Sequence, residues 1–98
     1  MRTDDDRTLR DLAGVGPRIE ADFRSLGIGS VGALADANPD ELYDELCHKT
    51  GTRQDPCVLD TFRCAVAQAR NPNLPVAQRS WWWWSRQRKQ GALTQSQL

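Results

Sequence analysis

The chain is poor in the residues that catalysis and metal binding use most. It has one histidine and three cysteines among 98 residues. Cys47, His48, Cys57 and Cys64 lack the close paired spacing of a zinc site, and no nucleophile, base and orienting group can be assembled from the pattern. We therefore expect a protein that is not an enzyme, with no metal and no cofactor, whose cysteines are small apolar or subsurface residues.

Long hydrophobic runs are also absent. No stretch approaches the ~18 apolar residues of a membrane span, and the N-terminal stretch MRTDDDRTLR lacks the apolar core of a signal peptide. The three cysteines are an odd number without the spacing of a disulfide framework, which favours a reducing compartment with free thiols. These features predict a cytoplasmic protein that does not enter membranes.

A strand pattern of convincing length is missing, and the boundary signals are those of short helices. Capping residues, prolines and glycines together predict an all-α fold, a compact bundle of about five helices. The first predicted helix is capped by Asp5 or Asp6 and runs through Ala13, and the second runs from Pro17 to just before Gly27. A short helical turn follows from Ser30 to Ala35. The fourth helix is capped by Asn38 and runs from Pro39 to about Thr50, and the longest is capped by Asp55, starts at Pro56 and is ended by Asn71.

The net charge of zero is divided unevenly along the chain. Residues 1 to 50 carry 6 Lys or Arg against 11 Asp or Glu, a net charge of −5, whereas residues 51 to 98 carry 7 against 2, a net charge of +5. Part of the later excess lies in Arg86, Arg88 and Lys89. The ordered part of the chain is therefore less basic than most domains that bind polyanions.

The most informative stretch is LAGVGPRIEADFRSLGI, residues 12 to 28. A Gly-Val-Gly turn between two helices allows a sharp change of direction, places Val15 inward and exposes backbone N–H groups at the start of the second helix. Glycine at positions 14 and 16 allows the backbone to turn sharply and lets a ligand approach it closely, and Arg18 adds a positive charge. Such an arrangement can hold a phosphate.

This stretch resembles the helix-hairpin-helix motif, in which hairpin amides grip a phosphate of a nucleic acid without reading bases. The run LGIGSVGALADANPDELYDEL, then DPCVLDTFRCAV and the tryptophan-rich end, is similar to the small bacterial pathogenicity-locus proteins. The resemblance covers residues 8 to 84 and implies a tandem, SAM-like helix-hairpin-helix arrangement that binds DNA independently of sequence. Its second hairpin, in the loop TGTRQD, lacks Gly-x-Gly.

A simpler interpretation of the Gly-Val-Gly turn is a tight connector without a ligand. Leu12 and Val15 would then only join the helices of the bundle. The carboxylates of Asp11, Glu20 and Asp22 lie close in sequence and oppose a phosphate. The sequence leaves phosphate binding and pure scaffolding open.

The segment SWWWWS places all four tryptophans of the chain on consecutive positions. If the segment is helical, Trp81 and Trp84 share a face, and we expect them to pack on the longest helix near Thr61 and Cys64. Trp82 and Trp83 are then more exposed. The alternative is a free aromatic tail that serves a partner.

Two functions from different classes follow from these patterns. The first is a nucleic-acid module that binds DNA phosphates through Gly14, Val15, Gly16 and Arg18. The second is a protein interaction or structural module that presents the acidic N-terminal half and an aromatic patch.

The predicted organisation is a flexible acidic N-terminus at 1–7, the domain at 8–84 and a disordered basic tail at 85–98. Possible secondary contacts to nucleic acid are Trp82, Trp83, Arg86, Arg88 and Lys89.

Overall fold

The computed structural model describes residues 7–90, and the regular secondary structure in this range is all helical, with no strand. The predicted all-α class and the number of helices are confirmed. Two short 3-10 helices accompany the α-helices, one at Leu9–Asp11 and one at Val76–Arg79. The α-helices are α1 (Pro17–Ser25), α2 (Val31–Ala35), α3 (Pro39–Thr50), α4 (Pro56–Arg70) and α5 (Trp81–Lys89).

Local capping sets the start of three helices where the sequence predicts it. The Ser30 hydroxyl accepts a hydrogen bond from a backbone N–H of α2, the Asn38 side chain accepts two from α3, and the Asp55 carboxylate accepts one from α4. Gly51 ends α3 in the left-handed conformation, with φ of 70°. Each of these boundaries depends on residues within one turn of the helix end.

The N-terminal helix is shorter than predicted. Instead of a helix through Ala13, a single 3-10 turn at Leu9–Asp11 follows Thr8, whose backbone N–H donates to the Asp11 carboxylate at 2.7 Å. The turn ends because Leu12 adopts an extended backbone. The predicted caps Asp5 and Asp6 lie outside the described residues.

Helix α4 is the centre of the core and packs against α2, α3 and α5. The side chains of Phe62 on α4 and Phe23 on α1 are fully buried, and their ring centroids are 4.8 Å apart. Burying one such side chain stabilises the fold by about 1.5–3 kcal/mol. Asp60 and Cys64 of α4 are buried as well. Asp60 is bound by Arg88 of α5, and the Cys64 thiol donates to the carbonyl of Gln78 at 3.6 Å.

The register of α5 differs from the prediction for the tryptophans. Trp81 is 42% exposed and Trp82 45%, whereas Trp83 and Trp84 are half-buried. Trp84 does pack, and its indole N–H donates to the carbonyl of Gln78 at 2.9 Å. The sequence predicted a packed Trp81 and a more exposed Trp83. In the structure Trp81 is exposed and Trp83 is half-buried. The small side chain of Ser85, 4% exposed, is the buried residue of α5.

The C-terminal boundary also lies later than the sequence predicts. Helix α5 continues through Lys89, so residues 85 to 89 are part of the helical fold instead of the predicted tail. Residues 91–98 lie outside the described part of the chain. Within residues 7–90, no helix combines the length and the apolar character needed to span a lipid bilayer.

Candidate nucleic-acid interface

The hairpin loop, residues 12–16, joins the first 3-10 helix to α1, and its two glycines have different roles. Gly14 has φ of 87°, a conformation that side chains other than glycine rarely adopt. Gly16 is extended, with φ of −95°, and a Cβ placed on it would meet no atom within 4 Å. The fold therefore requires glycine at position 14, whereas position 16 accepts other residues.

The missing side chain at Gly16 leaves the start of α1 open. Gly16 is the N-cap residue of α1, and no side chain caps this end. Within residues 7–90, the backbone N–H groups of Gly16, Arg18 and Ile19 have no hydrogen-bond acceptor. Free N–H groups at the positive end of a helix dipole form a site suited to an anion.

Val15 anchors the loop from inside. Its side chain is 5% exposed and belongs to the hydrophobic core, and its N–H donates to the carbonyl of Leu12 at 3.1 Å. The predicted inward position is confirmed. Val15 shapes the loop, but its side chain is not available to a ligand.

Two acidic residues beside the hairpin loop, Glu20 and Asp22, lie close to arginines. Glu20 lies 3.1 Å from Arg24 and 3.6 Å from Arg10. Burial raises the pKa of Asp22, and Arg18, whose guanidinium is 4.0 Å from this carboxylate, lowers it in part. The Arg18 side chain is 76% exposed, and an exposed pair of this kind contributes at most about 1 kcal/mol. Arg18 is therefore free to turn toward an anion at the open end of α1.

A buried glutamine of α4, which the sequence did not identify, holds the hairpin loop in place. The side-chain oxygen of Gln68 accepts from the N–H of Ala13 at 3.0 Å, and its nitrogen donates to the carbonyl of Ala13 at 3.0 Å. Gln68 is 6% exposed. The sequence feature that could have identified Gln68 is the one amide side chain in the stretch of small and apolar residues CAVAQA, because a buried polar group needs hydrogen-bond partners.

We expect Gln68→Met to loosen the hairpin loop. The substitution keeps the length of the side chain but leaves two backbone groups of Ala13 without partners, which costs about 1–3 kcal/mol. The melting temperature should fall by roughly 4–8 °C per kcal/mol, and the Ala13 amide should exchange faster with deuterium by NMR. Gln68→Glu retains the acceptor but sets a buried carboxylate oxygen against the Ala13 carbonyl, so it should lose at least as much stability. An unchanged melting temperature in Gln68→Met would contradict this role.

The second hairpin, between α3 and α4, is less suited to phosphate. Its loop also contains a glycine with positive φ, Gly51, and carries the exposed Arg53. However, the Asp55 carboxylate occupies the start of α4 and accepts a hydrogen bond from the N–H of Cys57 at 2.9 Å. The hydrogen bonds from Cys57 lower the pKa of Asp55. This helix end already holds a negative charge.

The predicted secondary contacts divide into an accessible and an inaccessible group. Trp82, Arg86 and Lys89 are exposed, and the guanidinium of Arg86 lies 4.9 Å from the centre of a Trp82 ring. Trp83 is half-buried and packs edge-on against Trp84. The first three residues are placed to meet a ligand.

Arg88 belongs to the fold instead of the accessible surface. Its guanidinium donates to both carboxylate oxygens of Asp60, at 3.0 and 3.1 Å, and the Asp60 side chain is completely buried. The hydrogen bonds with Asp60 raise the pKa of Arg88. The pair joins α5 to α4, so this cation is not available to nucleic acid.

The three cysteines are free thiols in different surroundings. Cys64 is buried and Cys47 and Cys57 are half-buried. Residues 7–90 contain no group of three or more His, Cys, Asp or Glu side chains arranged to hold a metal ion. The zinc arrangement considered for Cys47, His48, Cys57 and Cys64 is thus not formed.

We expect the thiols to react in the order Cys47, Cys57, Cys64. Burial raises the pKa of Cys64 to about 11, and partial burial with the nearby Asp55 raises that of Cys57. Because the thiolate is the reactive form, Cys64 should be labelled only when the segment that contacts it, at Gln78, detaches or the chain unfolds. Timed alkylation of the native protein followed by peptide mass spectrometry measures the order. Fast labelling of Cys64 would show that its thiol is accessible in the folded protein.

Two comparisons with known proteins find matches for this chain. A family model described as "Cdd1: Pathogenicity locus" matches residues 2–90. The chain is 38% identical, over 89 residues, to "Mitomycin resistance protein McrB" of Streptomyces lavendulae, and the alignment covers 91% of this chain and 81% of that protein. No solved structure matches the chain.

Proposed function

The chain belongs to the Cdd1 pathogenicity locus family, and from this premise we propose that it is a non-catalytic, cytoplasmic helix-hairpin-helix module that binds DNA independently of sequence. The first hairpin is the contact surface. In the proposed tandem, SAM-like arrangement, α3 and α4 form the second hairpin and serve as scaffold.

The open N-terminus of α1 carries this proposal. Helices α2, α3 and α4 use the side chain of Ser30, Asn38 or Asp55 to satisfy their first N–H groups. Helix α1, like α5, has no side-chain cap, and its N-cap Gly16 has no side chain to cover the N–H groups. A phosphate oxygen would accept hydrogen bonds from these groups, and Arg18 would supply a compensating charge. Because the loop offers backbone donors and no side chain for base edges, it would bind all sequences alike.

The test is a binding titration of the purified protein with short duplex and single-stranded oligonucleotides at two salt concentrations. Each phosphate contact contributes about −0.9 to the slope of log K against log salt on a duplex. We expect salt-sensitive binding that Arg18→Ala weakens without a change in melting temperature. Absence of salt-sensitive binding at micromolar protein would reject the proposal.

The likeness to a mitomycin resistance protein supplies a cellular readout. Survival under mitomycin can be compared between cells that make the wild-type chain and cells that make a hairpin variant. Equal abundance of the two chains is the necessary control.

The alternative function is a protein interaction module. The exposed carboxylates of α3 form an acidic surface, and Trp81 and Trp82 expose apolar area. Apolar docking would not weaken steeply as salt rises, so the same titration distinguishes the two functions. The acidic residues of α3 are Asp40, Glu41, Asp44 and Glu45.

A further inference from the structure

We propose that one edge of α5, formed by Trp81, Trp82, Arg86 and Lys89, is a stacking platform for unpaired bases. The preferred ligand of the protein is then DNA with a single-stranded stretch beside the phosphate held by the hairpin loop. This inference rests on the proposed function and adds the class of DNA to it.

The first support is the exposure of the two indoles. Trp81 and Trp82 are each more than two-fifths exposed although Trp83 and Trp84 next to them pack on the fold. They line a cavity of about 530 Å³ whose floor includes Ser85 and Cys57. A cavity of this size admits a small planar group.

The second support is charge. Helix α5, WWWWSRQRK, contains no acidic residue, and the Asp60 carboxylate beneath it is buried and bound by Arg88, which also interacts electrostatically with Asp55 at the start of α4. Arg86 lies over a Trp82 ring and Lys89 lines the same cavity. Aromatic faces beside free cations are the usual arrangement for binding single strands, because each base offers a π-face and each nucleotide a phosphate.

The third support is the position of the platform relative to the hairpin loop. Cys57 and Thr61 are one turn apart on α4, and the Thr61 hydroxyl donates to the carbonyl of Cys57 at 2.9 Å. Cys57 lines the cavity beneath the tryptophans, whereas the Thr61 methyl lies 4.0 Å from where a Cβ of Gly14 would be. The cavity and the hairpin loop therefore border residues of α4 that are about 6 Å apart along its axis. This places the platform and the loop beside the same helix.

The experiment compares a duplex with the same duplex carrying a single-stranded overhang, by fluorescence anisotropy of the labelled DNA. Trp81→Ala/Trp82→Ala should weaken binding of the overhang DNA at least about tenfold, since stacking contributes substantially for each base. Binding of the blunt duplex should remain within about twofold. Trp81→Tyr/Trp82→Tyr, which keeps flat rings, should retain most of the affinity, and both variants are checked by circular dichroism and thermal melting.

The outcomes separate the platform from the hairpin. If Trp81→Ala/Trp82→Ala binds the overhang DNA as tightly as the wild type, α5 is not a stacking platform, and the exposed indoles then serve a protein partner. This conclusion holds even if Gly16→Asp abolishes binding of the duplex. Loss of overhang binding in the alanine variant, with none in Gly16→Asp, supports the platform and rejects the hairpin. If the alanine variant fails to fold, the tyrosine variant decides. Loss of its affinity for the overhang DNA overturns the proposal. Retained affinity, together with weaker binding of the overhang DNA by Arg86→Gln, supports it.

Discussion

Gly16→Asp is expected to abolish DNA binding without weakening the fold. The position is extended and open, so an aspartate fits without strain, and its carboxylate would cap the free N–H groups of α1. The same carboxylate would occupy the place proposed for a phosphate and repel it. A cap at this position should leave the melting temperature unchanged or raise it slightly, because aspartate exceeds glycine by only a few tenths of a kcal/mol. Anisotropy titration and thermal melting measure the two effects.

Gly16→Asn is the matched control for charge. Asparagine has nearly the same shape and also caps the helix, but it is neutral, so it should weaken binding less than aspartate does. Full affinity in Gly16→Asp would show that DNA does not contact this end of α1. Gly14→Ala is a contrasting variant, since its φ of 87° makes it destabilise the fold.

Arg88→Ala should cause the largest loss of stability among single substitutions of charged residues. It leaves the Asp60 carboxylate, which is completely buried, without its bidentate partner. Breaking a buried pair costs about 3–5 kcal/mol, and because Arg88 is 23% exposed we expect about 2–4 kcal/mol. The fall in melting temperature should then exceed about 10 °C. Calorimetry or thermal circular dichroism measures it, and faster alkylation of Cys64 should accompany it.

The matched control removes both charges. Replacing a buried ion pair by apolar residues of similar volume is often neutral, so Asp60→Leu/Arg88→Met should recover most of the lost stability. Lys89→Ala removes an exposed cation of the same helix and should leave the melting temperature nearly unchanged. If Arg88→Ala melts like the wild type, the ion pair does not join α5 to α4.

The candidate site was predictable in part because its conformation is set by consecutive residues. The sequence identified Gly14, Val15, Gly16 and Arg18, and the structure shows a positive φ at Gly14, a buried Val15 and an exposed Arg18. The proposed contact with DNA stays a prediction. The sequence could not show that the two glycines have different roles. Only the backbone conformation shows that Gly14 needs a positive φ, whereas Gly16 has an ordinary φ with no atom near its missing side chain.

The pairing of Glu20 with two arginines could not be predicted in full. Glu20 is four residues from Arg24, a spacing that the sequence shows, but its second partner, Arg10, precedes the turn. Whether the turn brings them together depends on its angle. Likewise, Gln68 meets Ala13 across 55 positions of the chain.

The sequence by itself determined where α2, α3 and α4 begin and where α3 ends, since a cap needs only a side chain and N–H groups within one turn. Asn38, Asp55 and Gly51 act in this way. Only the tertiary structure decided which side of α5 is buried. WWWWSRQRK has no distinct apolar stripe, so its register depends on the surface of α4, where the buried Asp60 requires a cation. Arg88, 28 positions away, supplies that cation. With Arg88 in this place, Ser85 is buried and Trp81 and Trp82 are exposed.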